Sequence, residues 1–252
     1  MNRPIEASSA PARRLGSYTT AKVTKGRVER LEAHAGRLGR DAIRIGLPVP
    51  DRAEVLRALQ NTARESFGDG EGIIRLEWSR LPDALPELRP QPRPFVAKPG
   101  PWRAAIAKTL HPGPERRANT KQIDVEAYEA GRREAIAAEL DEVLLFDATG
   151  YLVEGASTNL LAVTATGSLV TPALELGPVE GLGLTFLREQ GLAFGEARLT
   201  RAELVGLREL LCVNAVRGVV AVGRVDASIV GSGRPGPWSD RLARAFSTPR
   251  RR

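Results

Sequence analysis

The segment KQIDVEAYEAGRREAIAAELDEVLLFDATGYLVEGASTN, Lys121 to Asn159, decides how this chain is read. It opens on a lysine, crosses one amphipathic helix and closes on a strand that ends in Glu154. The chain carries 37 Lys plus Arg, yet lysine stands only at positions 22, 25, 98, 108 and 121, so arginine is its ordinary cation. A lysine amine can lose its proton and form a Schiff base, which a guanidinium cannot do at neutral pH. Lys121 is therefore a candidate for imine chemistry, set against the plain alternative of a solvated surface cation. Lys108, at a strand end before a Pro-Gly-Pro turn, reads as solvent-facing.

Glu154 supplies the second half of the argument. A carboxylate against a pyridinium nitrogen keeps that ring protonated, and the protonated ring is the electron sink of pyridoxal 5'-phosphate (PLP) chemistry. Alone, Glu154 in LVEG is an ordinary strand-end acid. Together, Lys121, the run DEVLLFDATGYLVE and the segment EGASTN resemble, in order and spacing, the fold-type IV PLP enzymes of the class IV aminotransferase family. That family includes branched-chain and D-amino-acid aminotransferases and aminodeoxychorismate lyase. The resemblance implies an α+β protein of two domains, a small N-terminal α/β domain over 1–98 and a larger, barrel-like, PLP-binding domain over 99–252. It also implies PLP in the cleft between them and a homodimer.

Composition bounds the reading. With 252 residues and 42% hydrophobic content the chain buries one large core or two modest ones. One cysteine, Cys212, excludes an internal disulfide, and two histidines, His34 and His111, exclude a Cys/His zinc cluster, so no metal is expected. No apolar run approaches the roughly 20 residues that span a bilayer, and the N-terminus lacks a signal-peptide core, so the chain reads as cytoplasmic with no membrane partner. A net charge of +7 raises the question of nucleic acid. The clusters Arg13-Arg14, Arg116-Arg117, Arg132-Arg133 and Pro249–Arg252 are short, however, and no aromatics interleave them. No nucleic-acid partner follows; a preference for small anions does.

In chain order, residues 1–15 read as a lead-in, and Ser17–Thr24 (SYTTAKVT) as a strand. Leu31, Ala35, Leu38, Ala42 and Ile45 predict a helix over Arg30–Ile45, followed by a second over Asp51–Phe67 and a strand over Ile73–Trp78. Seven prolines between Leu81 and Pro101 predict an excursion loop at 80–93 and a linker near 97–101. A helix over Asp124–Leu140 is expected to turn Val125, Tyr128, Ile136 and Leu140 inward in a structural role. Gly231–Gly236 satisfies GxGxxG, but Pro235 and Pro237 are expected to prevent the helix that a dinucleotide site requires immediately after the glycines, so that site is rejected. GSGRPGP is instead similar to the C-terminal GxGxPGP loop of the fold-type IV enzymes, which implies a helix over Ser239–Phe246.

The remaining site residues come from the resemblance. HAGRL, His34 to Leu38, is similar to the family's HxxRL helix, which implies that Arg37 contacts the cofactor phosphate; as chemistry, its guanidinium fork matches phosphate oxygens. Standing alone, Arg37 is one surface arginine among many. Gly181–Thr185 opens a helix where the family binds phosphate through backbone N–H groups, implying Leu182 and Gly183. Gly183 stands where threonine is usual, which leaves a backbone contact and removes a hydroxyl one. Ser157 and Asn159 are implied as cofactor-side groups. YTTAKV resembles the FTTARV strand of bacterial aminodeoxychorismate lyases, implying Tyr18 and Thr20 at the substrate. Arg217 either meets a substrate carboxylate or is an exposed loop arginine. Two departures stand out: Asp124 replaces the asparagine usual three after the lysine, and no DRGxxYGDG-like turn precedes Tyr18, which leaves open an altered site or a start further upstream.

The activity that the resemblance implies is aminodeoxychorismate lyase, releasing pyruvate and the folate precursor 4-aminobenzoate from a small amino-carboxylate substrate. The alternative is a class IV aminotransferase acting on branched-chain or D-amino acids. A non-catalytic, PLP-free binding module is the third reading.

Overall fold

The computed structural model describes residues 13–117 and 119–247. Residues 1–12 of the lead-in and the Pro249–Arg252 cluster lie outside the described residues. Residues 13–15 are not part of a lead-in: Arg14 pairs with Glu87 at 2.8 Å and donates to Ser79 Oγ at 3.1 Å, and the first strand begins at Leu15.

That strand, β1 (Leu15–Thr24), alternates, with Ala21 and Val23 fully buried. It turns at Lys25-Gly26 into β2 (Arg27–Val28) and pairs antiparallel along its length with β3 (Gly72–Arg80). Helices α1 (Leu31–Arg44) and α2 (Arg52–Phe67) pack on this sheet, and α2 starts where the Asp51 carboxylate accepts the Glu54 N–H at 2.8 Å. Their apolar stripes meet the strands in a core of Ala35, Leu38, Val55, Leu59, Ile74 and Leu76.

The expected loop at 80–93 is corrected in part. Glu87–Arg93 forms β4, the outer strand of the order β2-β1-β3-β4, with Pro90 opposite Leu76 and Pro92 opposite Ile74. Two prolines two apart point their missing N–H groups to the same side, and on an edge strand that side can be solvent, so neither costs a ladder bond.

The second sheet has nine strands: β5 (Trp102–Ile106), β6 (Glu142–Phe146), β7 (Leu152–Gly155), β8 (Asn159–Val163), β9 (Leu169–Pro172), β10 (Gly195–Ala197), β11 (Glu209–Asn214), β12 (Gly218–Val225) and β13 (Ser228–Ile229). Along the path β10-β9-β8-β11-β12-β5-β6-β7, parallel and antiparallel pairs mix. The sheet curls: Leu152 at the β7 end donates its N–H to Leu199 O at 2.7 Å, and Tyr151 bridges Thr200 beyond β10. One core, with Leu144, Phe146, Leu160, Leu210 and Val222, fills the curl, and a second, with Leu161, Leu187, Leu211, Val213 and Leu242, lies on the other face. The architecture is the two-domain α+β fold expected of fold-type IV.

The helices of this half are α3 (Pro114–Arg117), α4 (Glu126–Ala137), α5 (Leu182–Glu189), α6 (Arg201–Leu204) and α7 (Pro237–Ser247). On α4 the buried residues are Tyr128, Gly131 and Ala135, while Ile136 is 77% exposed, against the expectation that it faces inward. A step of one residue turns the helix by about 100°, so Ile136 cannot share the Ala135 face. The helix expected over Ser239–Phe246 is present, but it begins at Pro237, directly after the glycines, because the first helical position needs neither an N–H donor nor a free φ. The dinucleotide site is absent for another reason. Glu209 accepts the N–H groups of Trp238 (2.9 Å) and Ser239 (2.8 Å), so the protein's own carboxylate occupies that helix start.

Candidate active site

Lys121 sits in a connection between helices, and its backbone is gripped from β1 and α1. Tyr18 donates its N–H to Lys121 O at 2.9 Å, Ile123 donates to Gly16 O at 3.1 Å, and the Lys121 N–H donates to Asp41 Oδ2 at 3.0 Å. Asp124 has φ +52°, a left-handed conformation that asparagine and aspartate tolerate best, so the departure from asparagine there is conformationally mild. The Lys121 ammonium lies 4.7 Å from the centre of the Tyr18 ring, and the Arg75 guanidinium 3.7 Å from it. Burial pushes the Tyr18 phenol up, but Lys121, Arg75 and Arg132 outweigh it and bring the phenol down to about 8.

Glu154, at the end of β7, is 2% exposed and surrounded by donors. Oε1 accepts from Tyr128 Oη at 2.5 Å and from the Val179 N–H at 3.0 Å; Oε2 accepts from Asn159 Nδ2 at 3.2 Å. Asn159 is fixed in turn by donating to Val179 O at 2.8 Å. Behind them, His111 Nδ1 accepts the Gly113 N–H at 3.1 Å, which leaves Nε2 to donate to Tyr128 Oη at 2.7 Å and frees the Tyr128 proton for Glu154. His111 and Tyr128 are functional-site residues that sequence reasoning missed. Tyr128 stood out only as an apolar helix position, and His111 lies 43 positions before Glu154, so nothing local joins them.

The turn that follows is set from below. Glu142 Oε2 accepts from Thr158 Oγ1 at 2.9 Å and from the Ser157 N–H at 3.1 Å, and a Cβ on Gly155 would stand 2.8 Å from the Glu142 carboxyl carbon. Burial pushes the Glu142 carboxyl up to about 7 against those donors.

The anion corner comes from α1 and α5. Arg37 is 2% exposed, donates to Glu180 O, and stands 3.4 Å from Asp41 Oδ2. Burial pulls its guanidinium down from the ordinary arginine value, and Asp41 opposes that. One turn earlier, His34 Nδ1 meets Thr19 Oγ1 at 2.6 Å, while its buried Nε2 has no hydrogen-bond partner among the described residues. Burial, then Arg37 and Arg30, bring the ring down to about 3, so it is neutral. The α5 start packs tightly here: a Cβ on Gly183 would stand 2.8 Å from Val213 Cγ1, and one on Gly181 would overlap Asn159 Oδ1.

One cleft of about 360 Å³ is lined by every site residue expected from the sequence: Lys121, Glu154, Arg37, Ser157, Asn159, Leu182, Gly183, Tyr18, Thr20 and Arg217. Ser157 is exposed, and Asn159 stands on the Glu154 side. Arg75, Arg93, Arg132 and Arg217 are spread over the cleft wall. Glu77 takes both Nε and Nη2 of Arg75 at 2.8 Å, and Arg217 donates to Val96 O at 3.0 Å.

The model of the family described as amino-transferase class IV matches residues 16–225. The chain belongs to that family. Class IV amino-transferases are PLP-dependent enzymes, and the residues present fit the cofactor. Lys121 offers an amine, Glu154 a carboxylate for a ring nitrogen, and Arg37 a cation for phosphate, with the unpartnered His34 Nε2 in the same wall.

A branched-chain-amino-acid aminotransferase of Pseudomonas aeruginosa is 30% identical over 117 residues, which are 45% of this chain and 38% of that enzyme's own length. Among solved structures, a Legionella pneumophila protein provisionally named 4-amino-4-deoxychorismate lyase superposes with a TM-score of 0.79 at 20% identity, covering 90% of this chain and 88% of the other. The Escherichia coli branched-chain amino acid aminotransferase gives 0.79 at 22% identity, covering 92% and 84%. A hypothetical aminotransferase of Mycobacterium tuberculosis in its PLP-bound form gives 0.77 at 22%, covering 92% and 87%. At these identities the superpositions speak for the fold.

Proposed function

We propose that this class IV amino-transferase is an aminodeoxychorismate lyase, and the observation that carries the reading is that Arg75, Arg93, Arg132 and Arg217 all line the cleft that holds Lys121. A branched aliphatic side chain asks for an apolar pocket. 4-Amino-4-deoxychorismate instead carries two carboxylates, each a partner for a guanidinium fork.

In this reading PLP, when bound, is the electron sink. Lys121 takes the proton from the substrate carbon that bears nitrogen, and the freed electron pair forms a double bond to the neighbouring carbon. The bond from that neighbour to the enolpyruvyl oxygen breaks, its electron pair leaves on oxygen, and protonation gives pyruvate. The ring becomes aromatic 4-aminobenzoate. Glu154, steadied by Asn159, would hold the cofactor's ring nitrogen, Arg37 with the N–H groups of Leu182 and Gly183 would hold its phosphate, and Ser157 would stand on the cofactor side. Tyr18, Thr20 and Arg217 face the substrate.

The second reading, a branched-chain aminotransferase, is favoured by the 30% identity to the Pseudomonas enzyme. Supplying aminodeoxychorismate should give pyruvate and 4-aminobenzoate in equal amounts. Transfer from leucine, isoleucine or valine to 2-oxoglutarate, with aminodeoxychorismate left intact, would replace the lyase by the aminotransferase. A homodimer in the cytoplasm, with no nucleic-acid partner and a boundary between its two domains near residue 98, completes the proposal. Among the described residues no helix is long and apolar enough to cross a membrane.

A further inference from the structure

Asp41 belongs to none of the roles above, yet it is 1% exposed in the wall behind the cleft. A buried carboxylate is expensive unless paired, and an apolar residue of similar size would stabilise a domain junction at least as well, so its presence asks for a reason. Its partners supply one. A single oxygen, Oδ2, accepts the Lys121 N–H at 3.0 Å and stands 3.4 Å from Arg37 Nη1, one helical turn earlier on α1. Lys121 lies outside any regular element, between two left-handed residues, Asn119 (φ +57°) and Asp124 (φ +52°). Its own chain therefore does little to stiffen it. Its backbone is held from the other domain, by Asp41 at the N–H and by the Tyr18 N–H at the carbonyl.

We infer that Asp41 is a positioning residue that orients Lys121 and Arg37 through one carboxylate oxygen and so couples the phosphate corner to the reactive lysine. The inference rests on the roles proposed above for those two residues. A phosphate drawing on Arg37 acts on Asp41, and through Asp41 on the backbone that carries the amine. No bond is made or broken.

Two substitutions and two probes separate the couplings. Asp41→Asn keeps a carbonyl that can accept the Lys121 N–H but gives up the ion pair with Arg37, whereas Asp41→Ala removes both. PLP reports on the phosphate corner and on Lys121; pyridoxal, which has no phosphate, reports on Lys121 alone. Visible-absorbance titration gives each affinity, and stopped-flow absorbance gives the rate at which the protein captures pyridoxal.

Asp41→Ala should weaken PLP by about tenfold or more and slow pyridoxal capture by about tenfold. Asp41→Asn should keep the PLP loss while restoring pyridoxal capture to within about twofold of the original protein. If both variants treat both probes as the original protein does and only melt earlier, Asp41 is structural and the inference is overturned. Should Asp41→Ala not fold, Asp41→Asn decides alone: loss for PLP without loss for pyridoxal supports the coupling, and equal loss or none overturns it. Borohydride reduction with peptide mapping of the unaltered protein keeps the two levels apart. A label on Lys121 with unresponsive variants overturns the role of Asp41 only, and a label on another lysine overturns the site reading with it.

Discussion

Glu154→Gln preserves the shape of the side chain at the centre of the site and reverses its hydrogen-bonding character on one side. Every neighbour of that carboxylate described above is a donor: Tyr128 Oη and the Val179 N–H on Oε1, and Asn159 Nδ2 on Oε2. A glutamine must put its NH₂ on one side or the other, so one donor then faces a donor. Asn159 cannot flip to relieve this without losing its 2.8 Å bond to Val179 O. One charge-assisted bond is lost and two buried N–H groups are opposed, at a cost of about 2–4 kcal/mol. For a chain of this length that is a fall in Tm of roughly 5–12 °C.

The chemical effect is separate. Without a carboxylate the ring proton of bound PLP has no partner, and turnover should fall on the order of 10²–10³, the usual scale for removing one preorganised electrostatic contact. Cofactor colour should remain, because Lys121 and Arg37 are unchanged. Calorimetry with and without PLP measures the first effect, and coupled detection of pyruvate the second. Turnover of the variant within about threefold of the original protein would refute the assignment of Glu154 to the ring nitrogen.

Two further predictions concern pH, with opposite signs. Glu142 is raised from 4.5 to about 7, so the native state keeps a proton that the unfolded chain releases in that window. Its contribution is present below pH 4.5 and lost as pH rises through 7; Glu142→Gln should remove this decline, worth on the order of 3 kcal/mol, in urea unfolding followed from pH 4.5 to 7.5. Parallel curves for the two proteins would count against a protonated Glu142. Tyr18 is lowered from 10.0 to about 8, so the native state releases its proton first. Stability should therefore rise between pH 8 and 10, Tyr18→Phe should flatten that rise, and a phenolate absorbance change centred near pH 10 in the folded protein would contradict it.

Much of this site was legible in the sequence because its chemistry is carried by residue types that have few substitutes. Only a lysine offers an amine for imine formation, and Lys121 was conspicuous in a chain that otherwise uses arginine. Glu154, Arg37 and the Gly181–Gly183 helix start were singled out by the resemblance of their short motifs to the family's; each motif is a local stretch of sequence, at a strand end, on a helix face or at a helix N-terminus. The helices expected over 30–45 and 51–67 and the strand expected over 17–24 were likewise written in local periodicity, and they stand at 31–44, 52–67 and 15–24.

What tertiary structure alone decided is where separate segments converge. Glu87–Arg93 is a strand because it lies at an edge, where the missing N–H groups of Pro90 and Pro92 cost nothing; proline content cannot report that. α7 starts at Pro237 because Glu209, distant in sequence, satisfies its first donors. His111, Tyr128 and Asp41 take their places behind Glu154, Lys121 and Arg37 through hydrogen bonds between elements far apart in the chain. Such bonds depend on how those elements are brought together in three dimensions, and neither residue spacing nor composition encodes that in any one window of sequence.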